Sequence, residues 1–248
     1  MNVLIIGANG YLGPHVVKAL APYHHLRITD IKPAPEEIRN QYKEQEFRDL
    51  DVTKPDLVMD AAKGMDAILN LSVLRHHRDI AFHVNNFGCY NVMQAAVKNN
   101  IRLVINTGPH FTITGPTYEG LDHGITPDLV SHSGTYLYAL TKSLGQEMCR
   151  VFTQRHDIYV MTFLFNSMRF SKDFKRGGGG GPFTVAWHDC GEVFRLGLEL
   201  ELDRLPSKCE SFFIMGDNPQ GKFIDEKTRR ILGYKPAKDT TQLWRKVR

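Results

Sequence analysis

Tyr138 and Lys142 are spaced so that they could do acid–base chemistry together. They frame the segment Y138-A-L-T-K142, and on a helix a separation of four residues places two side chains on one face, about one turn apart. A phenol has an ordinary pKa of about 10, and a neighbouring cation lowers that pKa because it favours the phenolate. The pair could therefore take a proton from an alcohol, or return one to a carbonyl group, near neutral pH.

A glycine-rich segment near the start of the chain could hold a dinucleotide. The segment G7-A-N-G-Y-L-G13 follows an apolar run and opens a stretch with apolar residues at helical spacing. Glycines there let the backbone approach a pyrophosphate, which would lie at the helix N-terminus, although the spacing is G-x-x-G-x-x-G and not G-x-G-x-x-G. The segment predicts a set of cofactor-binding residues: Gly7, Asn9, Gly10, Tyr11, Leu12 and Gly13.

Acidic residues after the next two predicted strands indicate which dinucleotide binds. Asp30, followed by Ile31, lies 17 residues after the last of these glycines, where its carboxylate can accept hydrogen bonds from a ribose diol. Because a carboxylate would repel a 2′-phosphate, we predict that NAD binds rather than NADP. Asp51, followed by Val52, could meet the adenine amino group, or it could equally be a turn residue.

Alternating strands and helices must position these residues. Short apolar runs predict strands at 2–6, 26–29, 46–47, 67–71, 103–106 and 158–165, and helical spacing predicts helices at 11–20, 56–63, 79–99 and 136–155. This alternation is typical of an α/β fold in which a doubly wound parallel sheet has helices on both faces. We therefore predict one dinucleotide-binding domain over residues 1–165.

The pattern changes after residue 165, and residues 166–248 predict a small C-terminal substrate-binding lobe that is not independent. The lobe would contain a helix at 189–201, a strand at 211–215 and a short helix after Asp225. The run from Gly177 to Gly181 could be a hinge or lid, or a flexible loop with no role, since glycines alone indicate only a permissive backbone.

Composition narrows the range of partners. The chain has 248 residues and a formal net charge of +4, without the long basic block typical of a nucleic-acid-binding surface. Its four cysteines lie far apart, and their spacing does not indicate a metal site. No apolar stretch reaches membrane-spanning length. We expect no metal, no nucleic-acid partner, no membrane partner and a cytoplasmic location.

Further short motifs resemble a known family. The chain is similar to the extended short-chain dehydrogenases/reductases, the NAD-dependent epimerase/dehydratase family, and within it to the uronate dehydrogenase-like proteins. Besides the glycine segment, the two aspartates and the tyrosine–lysine pair, the resemblance is carried by Asn70-Leu71-Ser72, N85-N-F-G-C-Y-N91, V104-I-N-T107, Trp187-His188-Asp189 and Leu232-Gly233-Tyr234-Lys235-Pro236. It extends over nearly the whole chain.

The resemblance implies a Rossmann fold with NAD over the carboxyl edge of the sheet, near Leu71 and Ser72. Tyr138 would be the general acid/base, and Lys142 would bind the nicotinamide ribose and lower the pKa of Tyr138. Asn85 would support the proton relay. A homodimer through the helices that carry Asn85 and Tyr138 is implied, although two apolar-faced helices in one domain are equally compatible with a monomer.

The chain departs from the family where a serine hydroxyl is expected beside the tyrosine. That position falls on Gly108, so Thr107 is the first candidate to supply the hydroxyl and Thr112 is the second. The alternative is that Thr107 only ends the strand and that the enzyme works with a weakened relay.

A second departure concerns the substrate. The arginine that holds the sugar carboxylate in uronate enzymes falls within the glycine run, so Arg176 is the candidate here, with Lys175 or Arg169 as alternatives. These cations could equally face solvent. By resemblance, Ser72 and His110 are further substrate contacts, and Thr112 would join them.

The prediction for function is an NAD-dependent oxidoreductase that transfers hydride between nicotinamide and a sugar-like or small polar alcohol or carbonyl. One alternative is an epimerase or dehydratase that retains NAD, although such enzymes usually need a larger lobe. The other is a non-catalytic dinucleotide-binding protein, against which the Tyr138–Lys142 pair argues.

Overall fold

A seven-stranded parallel sheet forms the centre of the protein. The structure, a computed structural model, describes residues 1–115 and 122–245. Its strands are β1 (Asn2–Ile6), β2 (His25–Asp30), β3 (Glu46–Asp49), β4 (Ala67–Asn70), β5 (Leu103–Pro109), β6 (Tyr159–Phe165), β7 (Met168–Arg169), β8 (Val185–Ala186) and β9 (Cys209–Phe213). The sheet order is β3-β2-β1-β4-β5-β6-β9, and β7 and β8 form a separate two-stranded sheet.

Helices cover both faces of the sheet. They are α1 (Gly13–Leu20), α2 (Glu36–Gln41), α3 (Pro55–Ala61), α4 (Arg78–Phe82), α5 (Gly88–Lys98), α6 (Phe111–Thr114), α7 (Leu137–Arg155), α8 (Trp187–Glu199) and α9 (Glu226–Leu232). A π-helical segment, His83–Phe87, joins α4 to α5, so the single helix predicted at 79–99 contains a wider turn. Short 3₁₀ turns lie at Ser171–Asp173, Leu202–Arg204 and Thr240–Trp244.

The central strands are apolar because both of their faces are buried. Along β1, Val3 and Ile5 pack into the core under α1 and α8, whereas Leu4 and Ile6 pack into the core under α3, α5 and α7. Strands buried on both faces show continuous apolar runs rather than alternation. The predicted doubly wound parallel sheet is confirmed, since the strand order and the two helix layers have this arrangement.

The region after residue 165 is built into the main fold. β9 pairs with β6 and forms the outer edge of the sheet, and α8 packs against α1 so closely that a Cβ on Gly191 would lie 2.4 Å from the carbonyl oxygen of His15. Residues 166–248 thus supply a strand and a covering helix in addition to the segment that borders the cleft described below. The division at residue 165 stays a prediction about substrate binding.

The glycine run is held against the end of the chain. Gly177 N–H donates to the Gln242 carbonyl (3.1 Å), and Gly179 N–H donates to the Leu243 carbonyl (3.3 Å). Arg169 Nη1 donates to the Gly179 carbonyl at 2.7 Å. The structure therefore shows this segment docked on the turn Thr240–Trp244, and a lid function stays a prediction.

The described residues contain neither a membrane-spanning helix nor a metal-binding cluster. No helix among them is long and apolar enough to cross a membrane. Within the same ranges, no cluster of three or more His, Cys, Asp or Glu side chains could hold a metal ion.

Candidate active site

A cleft of about 780 Å³ opens at the carboxyl ends of β1, β4, β5 and β6. It is bordered by the glycine segment, the loop after β4, the end of β5, the start of α7 and the segment after β6. Predicted site residues that line it are Gly7, Asn9, Gly10, Tyr11, Leu12, Leu71, Thr107, Tyr138 and Lys142. Carboxyl ends of parallel strands meet at one edge, which is where open α/β sheets bind ligands.

The glycine segment needs glycine at two positions for packing. Gly7 has φ +85°, and a Cβ there would lie 2.8 Å from the backbone nitrogen of Ser72. At Gly13 a Cβ would lie 2.0 Å from the carbonyl oxygen of Ala8. These contacts bring the end of β1 against the end of β4 and let α1 begin directly under the loop. The N-terminus of α1, with the positive end of its helix dipole, then lies beside the loop, where an anion could bind.

Asp30 ends β2 beside the glycine segment. Its Oδ2 accepts a hydrogen bond from Asn9 N–H (2.9 Å), and its Oδ1 accepts one from Lys32 N–H (3.3 Å). Asn9 Nδ2 in turn donates to the Lys32 carbonyl at 2.7 Å. The carboxylate is thus fixed at the rim of the glycine loop, next to Ile31, which is 65% exposed. Its contact with a ribose stays a prediction.

Asp51 has a turn role in this structure. Its Oδ1 accepts hydrogen bonds from the Thr53 N–H (2.9 Å) and from the Thr53 hydroxyl (2.7 Å). Val52 is buried, and a Cβ on Gly88 would lie 2.8 Å from its Cγ1. Neither Asp51 nor Val52 lines the cleft, so the predicted contact with adenine has no direct support from the geometry.

The polar groups at the ends of β4 and β5 bond mainly to one another. Ser72 Oγ donates to Asn70 Oδ1 (2.6 Å), and Thr107 Oγ1 donates to the Asn70 carbonyl (3.0 Å). Asn70 Nδ2 also donates to Asn106 Oδ1 at 3.2 Å. Thr107 lies at the cleft as predicted, but its hydroxyl is used to hold two strand ends together. Ser72 is not among the residues that line the cleft, and its role as a substrate contact stays a prediction.

The second candidate hydroxyl, that of Thr112, is directed into the protein. Thr112 is fully buried on α6, donates to the Pro109 carbonyl at 3.1 Å and accepts from Gln146 Nε2 at 3.3 Å. The same Gln146 nitrogen would lie 2.8 Å from a Cβ on Gly108. The short helix α6 thus turns the Thr112 side chain away from the cleft, which gives its predicted substrate contact no direct support from the geometry.

His110 and Arg176 also lie outside the cleft. His110 is 2% exposed and packs among the rings of Phe111, Phe183 and Phe223. Burial lowers the pKa of this imidazole to about 4, so it is neutral at physiological pH. Arg176 is exposed beside the glycine run. None of the four predicted substrate residues, Ser72, His110, Thr112 and Arg176, is among those that line the cleft, and their substrate contacts stay predictions.

Tyr138 stands at the cleft with its ring packed edge-on against Phe111, at 5.7 Å between centroids. Burial raises the pKa of Tyr138, and the charge and hydrogen bond of Arg75 oppose that rise. The Arg75 guanidinium carbon lies 5.2 Å from the centre of the Tyr138 ring and 5.9 Å from that of Tyr11. Arg75 was not predicted from the sequence, although it follows a predicted strand by only a few residues, as Asp30 does.

Lys142 is buried one turn further along α7. Its Nζ donates to the Ser72 carbonyl at 3.1 Å, and burial lowers the pKa of Lys142 to about 8. In this structure burial raises the pKa of Tyr138, and the cation that opposes the rise is Arg75. The corresponding effect of Lys142, and its bond to the nicotinamide ribose, stay predictions.

Asn85 lies in the π-helical segment and is 3% exposed. Its Nδ2 donates to the Leu74 carbonyl (2.8 Å) and to Thr141 Oγ1 (2.9 Å), and its Oδ1 accepts from Leu74 N–H (3.0 Å). Gly145 allows this approach, since a Cβ there would lie 3.1 Å from the Asn85 carbonyl oxygen. Asn85 thereby joins the loop after β4 to α7, and its place in a proton relay stays a prediction.

Comparison with known proteins agrees with this geometry. The NAD-dependent glucose-6-phosphate dehydrogenase of Haloferax volcanii is 23% identical over an alignment of 264 positions. The alignment covers 97% of this chain and 94% of that relative. Uronate dehydrogenase from Agrobacterium tumefaciens has a similar fold, with a TM-score of 0.75 at 20% identity over 96% of this chain and 85% of the other. A short-chain dehydrogenase/reductase superfamily protein from the same species, with bound NAD, has a TM-score of 0.79 at 16% identity over 98% and 94%.

The family itself is shown by a more direct match. A model of the 3-beta hydroxysteroid dehydrogenase/isomerase family matches residues 4–148, more than half of the chain. That span contains the glycine segment, Asp30, Asn85 and the tyrosine–lysine pair. The predicted resemblance to extended short-chain dehydrogenases/reductases is confirmed. The chain belongs to the 3-beta hydroxysteroid dehydrogenase/isomerase family, a dehydrogenase family of the extended short-chain type.

Proposed function

We propose that this protein is an NAD-dependent oxidoreductase that acts on a sugar-like or small polar alcohol or carbonyl. The observation that carries the proposal is that Tyr138 and Lys142 line the same cleft as the glycine segment, at the carboxyl edge of the sheet. A proton-transfer group and a dinucleotide site are thus placed side by side, as hydride transfer requires.

The residues present fit NAD. Gly7 and Gly13 let the ends of β1 and β4 and the start of α1 pack closely around the glycine segment. The N-terminus of α1 can receive the pyrophosphate, and Asp30 stands at the rim where a ribose diol would lie. When bound, NAD supplies the acceptor or donor of the hydride. The similar proteins support this choice, since one is named NAD-dependent and another contains NAD.

The roles of the chain's own residues follow from their positions. Tyr138 takes the hydroxyl proton in oxidation and returns it in reduction. Lys142 holds the nicotinamide ribose from the floor of the cleft, where its Nζ already donates to the Ser72 carbonyl. Asn85 fixes the loop after β4 against α7, which keeps both sides of the cleft in place.

The substrate class is inferred from the part of the chain beyond the family match. That match ends at residue 148, before β6, whereas Asn166, Ser167 and Met168 line the cleft from the segment after β6. The Haloferax relative, which matches almost the whole chain, is named for a sugar phosphate, and the similar Agrobacterium enzyme is named for a uronate. These names support a polar sugar-like substrate over a steroid.

A homodimer is part of the proposal. Large apolar side chains are exposed on α5 and α7 and just before α5: Phe87, Tyr90, Leu144 and Val151 are each at least 43% exposed. Apolar surface of this kind on paired helices favours association with a second copy. Sedimentation analysis at micromolar concentration tests the dimer, and cell fractionation tests the proposed cytoplasmic location.

The experiment that tests the function follows NADH absorbance with purified protein, NAD and a panel of glucose, glucose 6-phosphate, glucuronate and a 3-hydroxysteroid. We expect sustained NADH formation with at least one sugar, and a fall in kcat of about 10²- to 10⁴-fold in Tyr138→Phe. Tyr23→Phe, at a tyrosine that is 64% exposed and outside the cleft, is the matched control.

Other results would favour the alternatives. NADH formation that stops at one equivalent per enzyme would indicate an NAD-retaining epimerase or dehydratase. Tight NAD binding without turnover on the whole panel would indicate a non-catalytic binding protein. Turnover of the steroid alone would contradict the sugar-like substrate, and unchanged turnover in Tyr138→Phe would contradict the role of that residue.

A further inference from the structure

Arg75 is a cation in the wall of the cleft, beside Tyr138. Its guanidinium lies between the rings of Tyr11 and Tyr138, in the wall of the cleft. Its Nε is buried without a hydrogen-bond partner, and within residues 1–115 and 122–245 no acidic side chain forms an ion pair with it. A cation held in a partly buried wall without a carboxylate keeps its charge available to a group that enters the cleft.

The two threonine hydroxyls predicted to serve Tyr138, at the end of β5 and on α6, are used elsewhere. Thr107 donates to the Asn70 carbonyl and Thr112 donates to the Pro109 carbonyl. Lys142 donates to the Ser72 carbonyl, and Gly108 has no side chain to offer. The end of β5 therefore provides no hydroxyl that is directed at the phenol, whereas the guanidinium of Arg75 is.

The backbone that carries Arg75 is fixed. Asn85 holds both the N–H and the carbonyl of the preceding residue, Leu74, and also bonds to Thr141 on α7. A buried amide therefore sets the distance between the loop after β4 and the helix that carries Tyr138. Donors that are held in place before reaction stabilise developing charge more than mobile ones do.

We propose that Arg75 is a catalytic residue, whose guanidinium donates a hydrogen bond to the reacting oxygen of the substrate beside Tyr138. In oxidation, the substrate O–H bond breaks and its proton passes to the Tyr138 oxygen. The C–H bond breaks with its electron pair, which leaves as hydride to nicotinamide, and a C=O bond forms. Arg75 balances the negative charge on the two oxygens throughout. This inference rests on the proposed oxidoreductase function.

The first test titrates Tyr138 without turnover. Ultraviolet difference absorbance reports tyrosinate formation, and subtraction of Tyr138→Phe isolates one signal among the nine tyrosines. The titratable groups that line the cleft with Tyr138 are Arg75 and His76 from the loop after β4, Tyr136 and Lys142 from its own side, and Tyr11 from the glycine segment. In Arg75→Met we expect the Tyr138 signal to move to higher pH by about 1 unit or more, since an adjacent cation favours the phenolate.

Two further variants test whether the change in the Tyr138 titration depends on the charge at position 75. Arg75→Lys keeps the charge and should titrate between the wild type and Arg75→Met. Arg78→Met removes an arginine that is 85% exposed at its side chain and lies outside the cleft, so it should leave the signal unchanged. A Tyr138 signal that does not move in Arg75→Met would overturn the proposal.

The second test measures steady-state kinetics with the sugar of the panel that is turned over fastest. We expect kcat in Arg75→Met to fall about 10²- to 10³-fold, as for loss of one preorganised donor, with KM for NAD within about twofold of the wild type and partial recovery in Arg75→Lys. A loss confined to KM for NAD would overturn the proposal and assign Arg75 to the pyrophosphate. If the wild type oxidises no sugar, the proposed function fails whatever the titration gives.

Discussion

The side chain of Asn85 bonds to both backbone polar groups of Leu74, with Oδ1 accepting the N–H at 3.0 Å and Nδ2 donating to the carbonyl at 2.8 Å. The second proton of Nδ2 reaches Thr141 Oγ1 at 2.9 Å. One buried amide thus connects the loop that presents Arg75 with the helix that presents Tyr138.

Replacing Asn85 by alanine should therefore affect both stability and catalysis. Loss of three hydrogen bonds, with two buried backbone groups left unpaired, should lower the free energy of unfolding by about 2–4 kcal/mol. Because Arg75 loses its fixed position, kcat should also fall. Oxidation needs Tyr138 as phenolate, so the pH at which kcat rises with Tyr138 deprotonation should move higher. Urea unfolding and the pH profile of kcat measure the two effects.

Asn99→Ala is the matched control for that variant. Asn99 Nδ2 bonds to the Ala95 carbonyl at 2.9 Å, at the far end of α5 from the cleft. This variant should lose stability and keep the wild-type pH profile. Equal kcat values for folded Asn85→Ala and wild type, with superimposable profiles, would contradict the role of Asn85 in placing Arg75.

Sequence patterns predict the sheet well because its signal is local. Strands buried on both faces must be apolar throughout, so β1, β4 and β5 are evident as uninterrupted runs. Gly7, Tyr138 and Lys142 could be brought together from the sequence because carboxyl ends of parallel strands share one edge. Their meeting requires only the strand order, not the direction of any loop side chain.

The side chains after the strand ends could not be placed in this way. Within a strand, a change of one residue in register turns a side chain to the opposite face, and the turn of α6 directs Thr112 and His110 inward. Arg75 lies on a loop that is held by Asn85, eleven residues beyond Leu74, and this long-range contact is not evident from the sequence. The π-helical segment that carries Asn85 also lacks a local sequence signal, because it depends on the contact with α7.

Gly108 and Gln146 should behave as a coupled pair. Gly108→Ser places a Cβ 2.8 Å from Gln146 Nε2 and 3.1 Å from Leu164 Cδ2. Since the glutamine end can move only by breaking its bond to Thr112, we expect the serine variant to lose about 1 kcal/mol of stability. Adding Gln146→Ala should recover part of that loss, with an interaction energy of about 0.5–1 kcal/mol in urea unfolding.

Gln94→Ala serves as the control partner in that cycle. Gln94 bonds to Tyr90 on α5 and has no contact with Gly108, so its effect should add to that of Gly108→Ser. Additivity of Gln146→Ala with Gly108→Ser would show that the space at Gly108 is not limited by the glutamine.

Lys142→Met should stabilise the protein while it removes activity. Burial lowers the pKa of Lys142 from 10.5 to about 8 in the folded protein. Between these values the unfolded chain binds the proton that the folded protein releases, so wild-type stability rises with pH across this window and is lowest below it. Lys142→Met has no ammonium group at this position and therefore avoids the cost of burying one. After allowance for the lost bond to Ser72, we expect it to be more stable by about 2 kcal/mol at pH 7.

That difference should shrink as pH rises from 8 toward 10, and this trend is the sign to look for in urea unfolding at several pH values. Lys98→Met, at an exposed lysine on α5, should change stability by less than about 0.5 kcal/mol at every pH. NADH formation by Lys142→Met should be lost with the ribose contact. A variant that is less stable than the wild type at pH 7 would contradict the charge burial.

Asp30→Ser should change the preference between the two dinucleotides. The Asp30 carboxylate is held at the rim of the glycine segment by Asn9 N–H, where it would accept the ribose hydroxyls of NAD and repel the 2′-phosphate of NADP. We expect kcat/KM for NAD to fall about tenfold or more, because two charge-assisted hydrogen bonds are lost, and kcat/KM for NADP to rise. The ratio of the two values, measured with one sugar, reports the change.

Asp49→Ser is the control for this variant. Asp49 is the exposed neighbour of Asp30 on β3, so its substitution removes the same charge from the same edge of the sheet. A general loss of negative charge would raise NADP use in both variants by similar amounts. A rise confined to Asp30→Ser requires direct contact between this carboxylate and the ribose. If neither variant alters the ratio, the dinucleotide binds without Asp30, and the preference for NAD must come from the shape of the loop after β2.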